Sequence, residues 1–266
     1  MPETILKVEG LSVSLSGRRL LEDVYFQMRD GDCLAVAGAS GSGKTLLLQA
    51  LAGRVMHGGT VTYENGRTNP PRIAFVPRHH RFWNRSNLSS FYHQQRFKSF
   101  DSTDAPAATE ELLNAGASAE RIASTLADFG IDHLRDEPLI RFSNGEHRRF
   151  QLAKAVLADP EWILIDDPLA GLDKEARVLF ERLVHDLAAS GKRLVFATGT
   201  GEPPTAVTRV LWMQEGGLRA EMTREAYYEF QKAHRPPVHL LPDPDLLDRM
   251  AALHADEPFE NTVHME

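Results

Sequence analysis

Cysteine is almost absent from this chain of 266 residues, which contains only Cys33. A single thiol forms no disulfide within the chain, as is typical of proteins from a reducing compartment. Met1–Thr4 lacks the apolar core of a signal peptide, and no apolar run approaches the length of a membrane span. We therefore expect a cytoplasmic protein without direct membrane insertion. A partner would hold it at the inner face of the membrane, as a peripheral subunit.

The chain also has no excess of positive charge, because its formal net charge is −7. Without an overall positive field, we do not expect nucleic acid as a partner. The octet Arg78–Arg85 is basic and aromatic, a composition that would suit a single nucleic-acid strand. In an acidic chain, an exposed loop or a protein-docking surface explains the octet better.

A phosphate-binding motif is the clearest feature that the sequence does have. The pattern G-x-x-x-x-G-K-[ST] is matched by Gly38, Ala39, Ser40, Gly41, Ser42, Gly43, Lys44 and Thr45. A Gly/Ser-rich turn with a chance lysine could match these letters. However, Cys33–Ala37 predicts a buried strand before the motif, and Leu46–Leu51 predicts a helix after it. In this setting, we expect backbone N–H groups and the helix dipole to bind phosphate, Lys44 to reach the β- and γ-phosphates, and Thr45 to ligate Mg²⁺.

Two acidic residues, Asp166 and Asp167, end a second buried strand that begins at Trp162. A carboxylate at the carboxyl end of a core strand is where the metal of a bound nucleotide is held. Acidic strand ends are common in other proteins. In a chain with a phosphate-binding loop, we predict that Asp166 is the carboxylate on the Mg²⁺ side.

The remaining pattern predicts an α/β protein in which a small antiparallel β-layer precedes a parallel core sheet flanked by helices. The first strands are predicted at Ile5–Glu9 and Leu11–Leu15, with Gly10 between them, then at Val24–Met28, Gly58–Tyr63 and Ile73–Val76. Later strands are predicted at Arg193–Ala197 and Val210–Met213. Helices are predicted at Ser118–Phe129, from Ser143 to Leu157, at Lys174–Ala189 and at Thr223–His234.

The predicted domain is residues 1–234, with a helical subdomain inserted at about 77–160. Residues 235–266 form a Pro-rich linker or tail with a short helix near Leu246–His254. Val263–Glu266 repeats the apolar–polar pattern of the opening strand at Leu6–Glu9. Chance alternation is the alternative, but the position after a linker leads us to expect that a second, similar domain follows.

Taken together, these motifs resemble those of the ABC-type ATPases over about residues 5–220. Gly38–Thr45 matches Walker A, and Phe142–Glu146 is similar to the LSGGQ signature that precedes Walker B. Ile163–Asp167 matches Walker B, and Gly171-Leu172-Asp173 matches the D-loop. From its residues alone, Ser143 with Glu146 is only a helix capping box. Within the family, Tyr92–Phe97 with Ser143–Glu146 looks most like the ModF-type, molybdate-transport-related ATPases.

The resemblance implies a P-loop NTPase fold of ABC type that couples ATP binding and hydrolysis to a transporter. ATP and Mg²⁺ would be the cofactors, with Lys44 and Asp167 catalytic and Asp173 in the D-loop. Two such domains face each other head to tail, so the signature would bind the γ-phosphate of a partner's ATP through Ser143, Asn144, Gly145 and Glu146. The implied partners are a second ABC domain, as a tandem half or heterodimer partner, and a transmembrane subunit.

Four positions depart from the family pattern. Leu15 stands near the usual adenine-stacking aromatic residue, and Arg78 replaces the Q-loop glutamine. Asp167 replaces the general-base glutamate, and Gly199 replaces the switch histidine. Displacement of a reacting group by about 1 Å can cost a hundredfold in rate, so we expect weak hydrolysis that depends on a partner. The alternative is a nucleotide-gated regulatory module with little turnover. A translation-factor-type ABC protein ranks lower, because that group usually keeps the glutamate and histidine.

Overall fold

The computed structural model describes residues 3–78, 82–83, 89–90, 106–114, 116–172 and 174–233. Two compact units are distinguished, Met1–Tyr227 and Tyr228–Glu266. The sequence patterns at Tyr92–Phe97, Leu246–His254 and Val263–Glu266 lie outside the described residues. The proposed division into domain, helical subdomain and tail stays a prediction.

A three-stranded antiparallel sheet forms the first layer in the described part of the chain, in the order β2-β1-β4. Its strands are β1 (Thr4–Leu15), β2 (Arg18–Arg29) and β4 (Gly58–Tyr63). The predicted break at Gly10 is wrong, because β1 runs through it. Gly10 has a φ of 63° and lies in an irregular register between Val8 and Leu11. A bulge there lets the strand continue, where the sequence pattern alone indicated an end.

The core sheet has the strand order β11-β10-β3-β9-β8-β5 among the described residues. All its neighbouring strands are parallel except the β10–β11 pair. The strands are β3 (Leu34–Ala37), β5 (Ile73–Val76), β8 (Trp162–Asp166), β9 (Arg193–Thr198), β10 (Arg209–Gln214) and β11 (Gly217–Thr223). Every residue of β3 and β8 is buried. The continuous apolar runs that predicted buried parallel strands are thereby explained.

Six α-helices lie in the described residues: α1 (Lys44–Leu51), α2 (Ala108–Asn114), α3 (Ala119–Asp128), α4 (Asn144–Leu157), α5 (Lys174–Ala189) and α6 (Arg224–Ala233). α2, α3 and α4 fall between β5 and β8 in the chain, where the sequence predicted a mostly helical insertion. Lys154 of α4 forms an ion pair with Glu111 of α2. Phe142 packs edge-on against Phe150, with ring centroids 5.8 Å apart.

The basic–aromatic octet is described only in part. Its first residue, Arg78, follows β5, and Phe82–Trp83 forms a short strand, β6, that pairs with β7 at Ser89–Ser90. Within the described residues, no helix is long and apolar enough to cross a membrane.

Candidate nucleotide site

The loop Gly38–Thr45 connects the carboxyl end of β3 to α1. Gly38 and Gly43 are fixed by packing, because a Cβ at Gly38 would lie 2.2 Å from the Met213 carbonyl oxygen. At Gly43, a Cβ would lie 2.5 Å from Leu21 Cδ2. Gly41 has a φ of 80°, and a Cβ there would meet no described atom within 4 Å. The loop is therefore pressed against the core at two glycines and open at the third.

The side chain of Lys44 folds across this loop. Its Nζ donates hydrogen bonds to the carbonyl oxygens of Gly38, at 2.9 Å, and Ala39, at 2.6 Å. The Ser42 Oγ lies 3.4 Å away. Burial of the ammonium lowers the pKa of Lys44, whereas the carboxylates of Asp166 and Asp167 act to raise it. The cation is thus held over the loop by groups that a phosphate oxygen could replace.

Thr45 and Asp166 are brought together as the sequence predicted. The Thr45 hydroxyl donates to Asp166 Oδ2 at 2.9 Å, although the two residues lie far apart in the chain. Asp166 is 7% exposed. Burial raises the pKa of this carboxyl, and the hydrogen bond from Thr45 opposes the rise. A hydroxyl and a carboxylate at this distance are the oxygen ligands that Mg²⁺ takes beside the phosphates of a nucleotide.

Asp167 follows β8 in a constrained backbone conformation. Its φ is 51°, and its N–H donates to the Ala197 carbonyl oxygen of β9 at 2.8 Å. One carboxylate oxygen lies 3.2 Å from Arg78 Nε. Arg78, which the sequence marked only as a lost glutamine, therefore provides the ion-pair partner of the residue in the general-base position.

Arg148 of α4 is a site residue that the sequence did not reveal. The side chain is buried, with 4% exposed, and its guanidinium donates to the carbonyl oxygens of Pro77 at 2.6 Å, Asp166 at 2.6 Å and Asp167 at 3.0 Å. Burial lowers the pKa of Arg148 to about 10. This arginine joins the signature helix to the ends of β5 and β8. No local pattern in the sequence distinguishes it from the neighbouring Arg149.

The signature residues form the predicted capping box at the start of α4. Ser143 N–H donates to Glu146 Oε2 at 2.7 Å, and Glu146 N–H donates to Ser143 Oγ at 3.3 Å. Gly171 lies beside this turn, since a Cβ there would be 3.6 Å from Asn144 Cβ. In the described residues, the hydrogen bonds of Ser143–Glu146 do not reach the loop Gly38–Thr45. Asp173, predicted in the D-loop, lies outside those residues.

The two other departures from the family pattern are both at the surface. Leu15 ends β1 with 66% of its surface exposed. Gly199 follows β9, and a Cβ at that position would meet no described atom within 4 Å. A larger residue would therefore fit at Gly199 without a clash.

These residues fit a nucleotide with Mg²⁺. The loop is open at Gly41, Lys44 supplies a cation, and the hydroxyl–carboxylate pair of Thr45 and Asp166 supplies hard oxygen ligands. ATP would contribute the transferable phosphoryl group. The chain would bind and orient its phosphates and exclude water from their inner side.

Comparison with known families agrees with this geometry. The model of the ABC transporter family matches residues 21–170, more than half of the chain. The chain belongs to the ABC transporter family. It is an ATP-binding domain of that family, and the family implies ATP hydrolysis and the use of Mg²⁺.

Three relatives are named as ATP-binding proteins of import or export systems. The cobalt import ATP-binding protein CbiO of Rhodobacter capsulatus is 32% identical over 237 residues, which cover 82% of this chain and 78% of the relative. The zinc import ATP-binding protein ZnuC of Halorhodospira halophila is 31% identical, over 70% of this chain and 64% of the relative. The lipopolysaccharide export system ATP-binding protein LptB of Escherichia coli is 28% identical, over 70% and 76%.

Solved structures show the same fold. One ATP-binding cassette of an ABC transporter has a TM-score of 0.69 and 19% sequence identity, over 93% of this chain and 98% of that one. The P-loop ABC-type fold, with its antiparallel layer and parallel core sheet, is confirmed.

Proposed function

We propose that this chain is the ATP-binding subunit of a transporter that binds Mg-ATP at Gly38–Thr45 but hydrolyses it slowly by itself. The binding groups support the first part of the proposal. Lys44 lies across the loop, and Thr45 is already paired with Asp166. Lys44 would neutralise the phosphates, while Thr45 and Asp166 would hold the metal.

The observation that carries slow hydrolysis is the position of Asp167. Its backbone is fixed by the bond to Ala197, and its side chain is one methylene shorter than that of glutamate. The carboxylate therefore reaches less far from the backbone than that of a glutamate would. A general base acts only within hydrogen-bond reach of the proton that it removes. Gly199 in addition offers no side chain to contact the γ-phosphate.

The capping box supports a role for the other face of the chain. Ser143–Glu146 presents a helix start with an ordered hydroxyl, and such a start favours phosphate. We propose that this face completes the ATP site of a second ABC domain, in a tandem protein or a heterodimer. Asp173 would lie in the same interface. The division into a domain at 1–234 and a linker at 235–266 belongs to this proposal.

The nucleotide-gated module without turnover is the second candidate. The ion pair between Arg78 and Asp167 favours it, because in the nucleotide-free chain the guanidinium contacts the carboxylate that would otherwise be available to the attacking water. Phosphate release in the presence of a partner separates the two candidates.

For the transported substrate we propose a metal ion, because the names of the cobalt and zinc import proteins above indicate this task. Molybdate, an oxyanion, is the alternative substrate that we propose from the residues 92–97 and 143–146. A transmembrane subunit would hold the chain at the inner face of the membrane.

The assembly is tested by mixing the chain with a consensus ABC domain and a slowly hydrolysed ATP analogue in size-exclusion chromatography. We expect dimers that depend on the nucleotide, and hydrolysis when ATP replaces the analogue. Ser143→Arg should abolish both, because the bulky side chain blocks the phosphate seat. Ser118→Arg, the same change at the cap of α3, is the matched control and should abolish neither. A hydrolytically competent dimer of the chain alone would contradict the asymmetric assembly.

A further inference from the structure

Arg78 lies at the same end of the core sheet as the phosphate-binding loop, where the carboxyl ends of the parallel strands lie. It follows β5 by two residues, and β5 pairs in parallel with β8, with Val76 opposite Ile165. The carboxyl ends of both strands therefore meet, which places Arg78 beside the acidic pair at the end of β8. Its side chain is 54% exposed, and that of Asp167 is 32% exposed.

Arg78 is linked to the phosphate-binding loop through the acidic pair. Its Nε lies 3.2 Å from the Asp167 carboxylate, and the neighbouring Asp166 accepts a hydrogen bond from Thr45 of the loop at 2.9 Å. A guanidinium has five N–H donors in a planar fork, which suits two phosphate oxygens at once. Nε is the one that pairs with Asp167 in this structure. An ion pair that is this exposed is weak, so a doubly charged phosphate can displace the carboxylate.

We propose that Arg78 is a second phosphate-binding cation of the ATP site. It pairs with Asp167 until nucleotide binds, and then turns to the terminal phosphate of ATP. ADP lacks that phosphate, so Arg78 stays on Asp167 when ADP is bound. Arg78 therefore makes the chain prefer ATP to ADP. The inference rests on the proposed ATP site and adds how that site distinguishes its nucleotides.

The test is calorimetric titration of ATP and ADP, each with Mg²⁺, into the full chain and its variants. Arg78→Gln should reduce the preference for ATP over ADP about tenfold, with the ADP affinity unchanged within about twofold. Arg72→Gln is the matched control. It makes the same change at the other end of β5, where Arg72 pairs with Glu161, and should leave the preference unchanged. Arg78→Lys keeps the charge without the fork and should have an intermediate effect.

Lys44→Ala distinguishes failure of this inference from failure of the proposed function. It should weaken both ATP and ADP by at least about tenfold, because both nucleotides carry the β-phosphate that Lys44 would reach. If Lys44→Ala left both affinities unchanged, the proposed ATP site itself would be wrong. If Lys44→Ala weakened both and Arg78→Gln kept the parent preference, only the role of Arg78 would be overturned. An equal loss of ATP and ADP affinity in Arg78→Gln would also overturn it, because the terminal phosphate would not be the group recognised.

Discussion

Asp166 shows at the residue scale how a binding group works against stability. Burial raises the pKa of its carboxyl in the folded chain, so the charged form costs free energy of folding at neutral pH. Thr45 offsets part of this cost with one hydrogen bond. The presence of a buried carboxyl at this position is explained by the metal ion that it would bind, because the carboxyl does not stabilise the fold.

We therefore predict that Asp166→Asn raises the melting temperature at pH 7 without nucleotide. In a domain of this size, each kcal/mol gained adds about 2–4 °C. The difference in melting temperature should shrink as the pH falls. A carboxyl whose pKa is raised in the folded chain takes up a proton on acidification, and the parent then no longer buries a charge at Asp166. The same variant should lose the stabilisation that Mg-ATP gives to the parent. Calorimetric scans across pH measure both effects, and a less stable variant at pH 7 would contradict the explanation.

The residues of the loop were predictable because their chemistry is local. Spacing and residue type marked Gly38–Thr45, and the strand before it and the helix after it confirmed the context. The contact of Arg78 with Asp167 was not predictable from the sequence. It depends on β5 and β8 being neighbours in the sheet, and no local pattern encodes that pairing.

At the scale of elements, the buried side chain of Arg148 connects α4 to the ends of two strands. Arg148 donates to the carbonyl oxygens of Pro77, Asp166 and Asp167, which end β5 and β8. The signature begins the same helix at Ser143. A shift of α4 would therefore change the hydrogen bonds to the backbone of Asp166 and Asp167.

Arg148→Met should destabilise the chain, because it leaves buried carbonyl groups without the donor that Arg148 provides. Each such group costs about 1–3 kcal/mol, partly offset because the buried charge also disappears. Methionine is chosen because it keeps most of the length of the side chain. Arg149→Met is the control, since Arg149 donates to Gly130 O at a more exposed position, and should cost less. Thermal melts of both variants test this. Equal stability of Arg148→Met and the parent would show that the bonds contribute nothing.

Prediction of the elements succeeded where periodicity was long and failed at tight turns. α5 was predicted at its observed bounds, and α3 was predicted within one residue at each end. β11 was missed, although Glu215 and Gly216, with φ of 50° and 77°, form a two-residue hairpin turn. Gly10 was interpreted as a strand end because a bulge and a turn both use glycine.

At the scale of the whole molecule, the order of the strands in the core sheet brings the site residues to one end of that sheet. β3 lies between β9 and β10, and β8 lies between β9 and β5. The carboxyl ends of these parallel strands bring together Lys44, Asp166, Asp167 and Arg78 from distant parts of the chain. The sequence predicted a parallel sheet and its antiparallel layer. The strand order has no local signal, since it depends on long-range packing.

We propose above all that the chain retains the groups that bind ATP and has lost those that hydrolyse it. Steady-state phosphate release at saturating Mg-ATP tests this most directly. The parent chain should turn over well below the ~10 s⁻¹ typical of enzymes. Asp167→Glu with Gly199→His should be faster in the presence of a consensus partner, because the base is lengthened and Gly199 has room for a side chain. A parent chain that by itself releases phosphate at ~10 s⁻¹ or faster would contradict the account.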